Sequence, residues 1–266
     1  MRFFAPLWLY FVLTSCSATT GQSQNHVYDT VITGDTLRYT YTELQEVSPY
    51  FIVNDDIIDT AKYQIQYPIF DSIPFNEILK NAILIDGEQS IEDAARSFID
   101  AYDEFAEDHT TGLISAAWYR KAQARVINNT PQFLTLETTI DEYTGGAHGS
   151  HLTFYHNIDI QKSKKITLDE LFHDDKFVEF VNIAEKQFRK QENISENYSL
   201  EEDFFFEDGK FTLNDNFGLG KSSLIIYFNE YEIRPYAEGS TQIEIPYTEL
   251  ISLLNIRGRQ IVESIK

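Results

Sequence analysis

The sequence predicts an α+β fold, with helices packed on antiparallel sheets in two α+β subdomains. Three observations predict it. Tyrosine (16) and phenylalanine (20) dominate the aromatic residues, a bias that suits the half-buried surface of a strand. Residues 90–108 carry one unbroken apolar helical face, which needs a sheet or another helix to cover it. Three alternating segments then follow between residues 114 and 160, separated by turn residues, and that order favours an antiparallel meander. At 266 residues and 42% hydrophobic content, the chain can bury a core and has room for one large or two small domains.

The N-terminus reads MRFFAPLWLYFVLTSC. Arg2 precedes an apolar run from Phe3 to Leu13, which is short for a bilayer span but suits the core of a signal peptide. The run ends in Leu13-Thr14-Ser15-Cys16, which resembles a bacterial lipobox. Residues 1–15 are therefore expected to be a lipoprotein leader, and Cys16 the lipidated residue. Cys16 is the only cysteine, so no internal disulfide can form. No later run approaches the ~18 apolar residues a membrane helix needs, so the lipid is the expected anchor. Residues 16–27 read as a polar tether. The residues after Cys16, SATTG, carry no acidic run that would mark surface export. The expected location is the cell envelope, on the periplasmic face of the outer membrane.

Residues 28–53 alternate weakly around a Gly34-Asp35 turn and are read as strands. Tyr63, Ile65 and Tyr67 alternate until Pro68, which is expected to end that strand. From Pro74 the period changes, and Phe75, Ile78, Leu79 and Ala82 share a helical face. The helix over 90–108 opens with Ser90 as cap and Asp93 three residues on. Its apolar face runs from Ile91 through Phe98 and Tyr102 to Ala106, and its acidic face, Asp100 to Asp108, is expected in solvent. Strands are expected over 114–127, 132–143 and 151–160, with turns at Asn128–Pro131 and at Gly145-Gly146. Thr167 and Glu170 suggest a capped short helix at 166–172, and Phe177, Phe180, Val181, Ala184 and Phe188 a further one. Residues 222–228 and 241–247 read as strands, and Thr248–Leu254 as a short helix.

Formal charge is −21. Phosphate binding needs clustered Lys and Arg, so nucleic acid is excluded as a natural partner. A cationic protein, in contrast, would be steered in by this field. The stretch TTIDEYTGGAHGSHLTFYHNIDI, residues 138–160, holds three of the six histidines beside a double glycine. The glycines lie between two strands, where a hairpin turn needs them, and not between a strand and a helix as a phosphate loop would. On the strand that follows, His151 and His156 point to opposite faces, and His148 sits in the turn. The stretch is read as a turn, with no metal, no cofactor and no catalytic residue assigned.

Two motifs carry a resemblance. YTGGAHGSHLTFYHNIDIQKSKKITLDELF, 143–172, resembles the join between two bacterial envelope domains, a PdaC-type N-terminal domain shared with peptidoglycan deacetylases and an RsiV-type C-terminal domain. LIIYFNEYEIRPYAEGSTQIEIPYTEL, 224–250, resembles the end of the RsiV-type domain. The resemblance covers roughly residues 60–266 and implies an N-terminal domain over 28–161 and a C-terminal one over 162–266. It implies an extracytoplasmic sensor or binding module. Its implied partner is a cationic protein of the lysozyme kind or a peptidoglycan fragment. It transfers no catalytic residue, since the deacetylase chemistry belongs to a different domain. This chain also departs from RsiV in having no anti-sigma segment and no membrane helix. Tyr231 and Tyr236, with Tyr227 and Tyr247, give the 224–250 segment an aromatic surface suited to recognition. The candidate ligand-binding residues are Tyr143, His148, His151, Tyr231, Arg234 and Tyr236. The rival expectation is a cell-wall hydrolase using an Asp/Glu pair.

Overall fold

The computed structural model describes residues 26–28, 36–54, 57–108 and 116–265. The expected leader, Cys16, most of the tether and the Gly34-Asp35 turn lie outside them. The chain forms β1 (His26–Tyr28), β2 (Tyr39–Asn54), β3 (Ile57–Phe70), α1 (Ile73–Ile83), α2 (Ile91–Asp108), β4 (Tyr119–Asn129), β5 (Phe133–Tyr143), β6 (Ser150–Asp159) and β7 (Lys164–Lys165). It continues with α3 (Phe177–Gln191), β8 (Phe217–Leu219), β9 (Ser223–Phe228), β10 (Thr241–Pro246), α4 (Tyr247–Leu250) and α5 (Ile256–Ser264). Among the described residues, β1 to β7 make a seven-stranded sheet in sequence order, and β10-β9-β8 a three-stranded antiparallel one.

The large sheet is antiparallel except where β3 meets β4. A parallel pair needs a long crossover, and α1 and α2 supply it. They lie on the face bearing Leu44, Tyr63, Ile65, Ala122, Leu136 and Ile140, which together form the first core. Ser90 caps α2 as its sequence suggests, its hydroxyl accepting from the Asp93 amide at 3.0 Å. Ile91, Ala94, Ala95, Phe98, Ile99, Tyr102 and Ala106 are buried as that periodicity requires. Covering a side chain the size of Phe98 or Ile99 stabilises by about 1.5–3 kcal/mol.

Several boundaries differ from the sequence reading. β3 runs past Pro68 to Phe70, with Pro68 opposite Tyr41. β4 pairs with β3 only from Lys62 to Gln66, so no ladder bond there asks for the missing N–H. β4 starts at Tyr119 and runs through Asn129, and its turn instead centres on Thr130, whose hydroxyl accepts from the Phe133 amide at 3.1 Å. The acidic side of α2 is not wholly in solvent. Ser48 donates to Asp103 and Tyr50 to Glu107, which ties the helix to β2. The expected helix at 166–172 is a 3-10 turn over Asp169–Leu171, where Glu170 accepts from the Thr167 amide at 3.4 Å. The last short helix, α4, ends at Leu250.

The second core gathers Phe180, Ala184 and Phe188 of α3 with Phe217, Leu224, Ile226, Ile243 and Ile245 of the small sheet. It also takes in Phe133 of β5. The two units thus share the large sheet. Asn157 makes the join. It is fully buried, donates to the Phe217 carbonyl at 2.7 Å, and accepts from the Leu219 amide and the Thr135 hydroxyl. Gly218 fits beside it because a Cβ there would stand 2.5 Å from the Tyr155 ring.

Candidate functional site

β5 and β6 form a hairpin whose turn uses Gly145 (φ 100°) and Gly146 (φ 93°), backbone that a side chain would strain. The Tyr143 hydroxyl donates to the Gly146 carbonyl at 3.1 Å and braces the turn. His148, held by a 2.8 Å contact from Nδ1 to the Gly149 carbonyl, then reaches the C-terminal unit. Its ring stacks on Tyr236, with centroids 3.7 Å apart and planes 19° apart. Its Nε2 lies 3.4 Å from the Tyr231 hydroxyl, and Tyr231 packs on Tyr236 at 5.6 Å.

The C-terminal partner of this stack is positioned by a sheet edge. β6 has β7 beside it only at Ile158 and Asp159. Unpaired backbone on an edge strand needs other partners. Asn229 accepts from the Thr153 amide at 2.7 Å and Asn216 from the Tyr155 amide at 2.8 Å, and both donate back to the Thr153 carbonyl. Asn229 therefore fastens the start of the 229–239 loop to the hairpin. Tyr231 follows two residues later with φ 66°, a left-handed conformation that turns its ring onto His148.

Four of the six expected ligand residues come together here: Tyr143, His148, Tyr231 and Tyr236. His151 borders them, its Nδ1 3.0 Å from Asp141 and its amide 3.4 Å from Glu230. Arg234 stands apart. It pairs with Glu192 at 3.0 Å and donates to the Gly239 and Ser240 carbonyls, so it holds the loop's shape and is spent on that task. His156 lies on the helix-covered face. Burial first, and then Lys165, push its pKa down to about 4 against the opposing pull of a backbone hydrogen bond at Ala82, and its Nε2 has no partner among the described residues. Among the described residues, no group of three or more His, Cys, Asp or Glu converges as a metal cage.

Tyr119, Asp141 and Glu230 belong to the same patch and escaped the sequence reading. Tyr119 stacks on Tyr143 at 6.2 Å and its hydroxyl donates to Asp141 at 3.4 Å. Desolvation first, then Asp141, raises the Tyr119 pKa, and desolvation followed by Glu230 raises that of Tyr236. The pairing of Tyr119 with Tyr143 depends on the β4–β5 register, and a turn placed at Asn128–Pro131 leaves that register open. The patch is open to solvent, with Tyr119 38% and Tyr231 58% exposed. It offers aromatic faces, an imidazole and two carboxylates on a rigid frame. That arrangement suits contact with a flat ring or a cation.

The family model described as Deacetylase PdaC matches residues 56–151, and the one described as Protein of unknown function (DUF3298) matches residues 169–248. The chain is 21% identical over 210 residues to peptidoglycan-N-acetylmuramic acid deacetylase PdaC of Bacillus subtilis (strain 168), a match covering 76% of this chain and 40% of that protein. It thus spans about two fifths of that relative's length. A DUF3298 family member from Bacteroides fragilis NCTC 9343 has a similar solved structure, with TM-score 0.68, 22% identity, and coverage of 86% of this chain and 97% of that one. A second, from Pseudomonas aeruginosa PAO1, has TM-score 0.63, 17% identity, and coverage of 83% and 95%. Both likenesses concern the fold, two α+β subdomains. The first match covers β3 to the start of β6 and the second covers α3 and the three-stranded sheet, so a PdaC-type N-terminal domain is followed by a DUF3298 C-terminal domain.

Proposed function

We propose that this chain is a lipid-anchored, non-catalytic binding module of the cell envelope that recognises cell-wall glycan. The observation that carries this reading is the exposed stack of His148, Tyr231 and Tyr236, backed by Tyr119 and Tyr143. Aromatic faces held in place by a hydrogen-bonded frame accept sugar rings at little entropic cost. The leader and Cys16 supply the anchor, on the periplasmic face of the outer membrane, and the curated relative's name places a similar segment in a protein that acts on peptidoglycan. The test is retention on insoluble peptidoglycan sacculi. Removing one stacked ring costs on the order of 1 kcal/mol, so Tyr236→Ala should weaken retention about fivefold. Retention unchanged in Tyr231→Ala and Tyr236→Ala would remove the patch from the reading. Soluble sugar released from the sacculi by the purified chain would overturn its non-catalytic part.

A second reading takes the partner as a cationic protein of the lysozyme kind. The specific support is the charge of −21, with Asp141 and Glu230 at the patch. Salt separates the two. Binding steered by charge falls steeply between low salt and 0.5 M, roughly where the screening length drops below 5 Å, whereas ring stacking and neutral hydrogen bonds persist.

A further inference from the structure

On its second face the large sheet packs against the C-terminal unit through Phe133, Thr135, Tyr155 and Asn157, and the part left open, over β2 to β5, is polar. Register places Gln45, Gln64, Lys121, Asp141 and His151 in one row across β2 to β6. The next row holds Glu43, Gln66, Gln123, Thr139 and Thr153. Lys62, Tyr119 and Tyr143 make the row that leads into the aromatic patch. Sheet faces left to solvent are usually rich in charge, as the rest of this molecule is. Here charge is sparse and of mixed sign: Lys62, Lys121 and Arg125 stand among Glu43, Glu137, Asp141 and Asp59, the last paired with Lys62 at 2.7 Å, on a chain whose net charge is −21. The centre is amide. Gln64 donates to Gln45 and Gln123 donates to Gln66, each at 2.8 Å. Each pair uses one N–H and one oxygen, so the Gln45 and Gln66 NH2 groups and the Gln64 and Gln123 oxygens have no protein partner among the described residues. A depression of about 330 Å³ lies over Gln64, Gln66 and Gln123, between Glu43 and Lys121.

We infer that this face is a binding floor for a neutral N-acetylated glycan strand, which lies across β2 to β5 and reaches the stacked tyrosines at its end. The inference deepens the glycan reading above and rests on it. The match is one of charge and of hydrogen bonding. An uncharged polyol needs no counter-charges, while a polyanion or a polycation would set like charges against one sign of this mixed face. Alternating amide donors and acceptors pair with hydroxyls and acetamido groups, which both give and take hydrogen bonds. The face is also continuous with the aromatic patch through Tyr119 and Asp141.

The test titrates the full chain, in detergent micelles, with the hexamer of N-acetylglucosamine. Calorimetry reads affinity and NMR reads the side-chain amides. Shifts are expected at Gln64, Gln66 and Gln123. The double variant Gln66→Leu/Gln123→Leu removes one whole amide pair from a solvent-facing row and should weaken binding about tenfold. Gln45→Leu/Gln64→Leu should do the same. Unchanged melting temperatures separate loss of contact from loss of fold. Hexamer binding with shifts confined to His148, Tyr231 and Tyr236, and undiminished in both double variants, would overturn the sheet-face site and leave the proposed function standing. The absence of any binding, with sacculi also not retained, would overturn both.

Discussion

Asparagine does the joining in this protein. Asn157, Asn216 and Asn229 each use a side-chain amide as if it were a stretch of backbone, completing ladders where a strand has no neighbour. Asn157→Ala leaves the Leu219 amide and the Phe217 carbonyl buried and unpaired, and the cost should be about 2–4 kcal/mol, measurable by urea denaturation. Asn229→Ala acts nearer the surface. It should lower affinity at the aromatic patch more than it lowers stability, because it frees the loop that carries Tyr231 and Tyr236. His156 gives a pH effect. It is held neutral in the fold with a pKa near 4, against 6.5 in an open chain. Below pH 6.5 the unfolded chain takes up a proton that the folded chain refuses until about pH 4. Stability is therefore intact above this window and lost through it as pH falls, by about 3 kcal/mol. A His156→Leu variant, compared with the parent by denaturation from pH 7 to 4, should show a shallower loss.

Among the elements, α2 has both a strong signal in the sequence and a large share of the first core. Its cap is a single bond from the Asp93 amide to Ser90, so Ser90→Ala should cost about 1 kcal/mol, read as a shift in the denaturation midpoint. The helix is also tied to β2 through Asp103 and Glu107, which explains why its acidic face does not behave as simple solvated surface. The β5–β6 hairpin is the element that carries the proposed binding patch. Its glycines were legible as a turn because only residues free to adopt positive φ fit there. That His148 leaves the turn to stack on Tyr236, 88 residues downstream in the chain, was not legible, since no local period links them.

The whole molecule is built on one shared sheet. Phe133 lies in the second core while its neighbour Leu134 lies in the first, so β5 is buried on both sides. Two units joined through β5 and β6 in this way cannot open independently without exposing both strands. Unfolding should therefore be a single cooperative transition. Trp118 fluorescence, which reports the first core, and far-UV circular dichroism should give coincident curves. Two separated transitions would show that the halves fold on their own.

The sequence by itself determined the α+β class, the position of α2, the hairpin turn and the order of the two domains. Each of these rests on local periods of two or 3.6 residues, on turn residues, or on a contiguous motif, all of which act over a few residues. It also marked Tyr143, His148, Tyr231 and Tyr236 as residues to watch. Only the tertiary structure decided that these four meet, that Arg234 is occupied elsewhere, and that Tyr119, Asp141 and the glutamine rows belong to one surface. Those facts depend on strand register and on the bridging asparagines. Register is fixed by the burial of whole faces at once, a property of the packed sheet that no short stretch of chain contains.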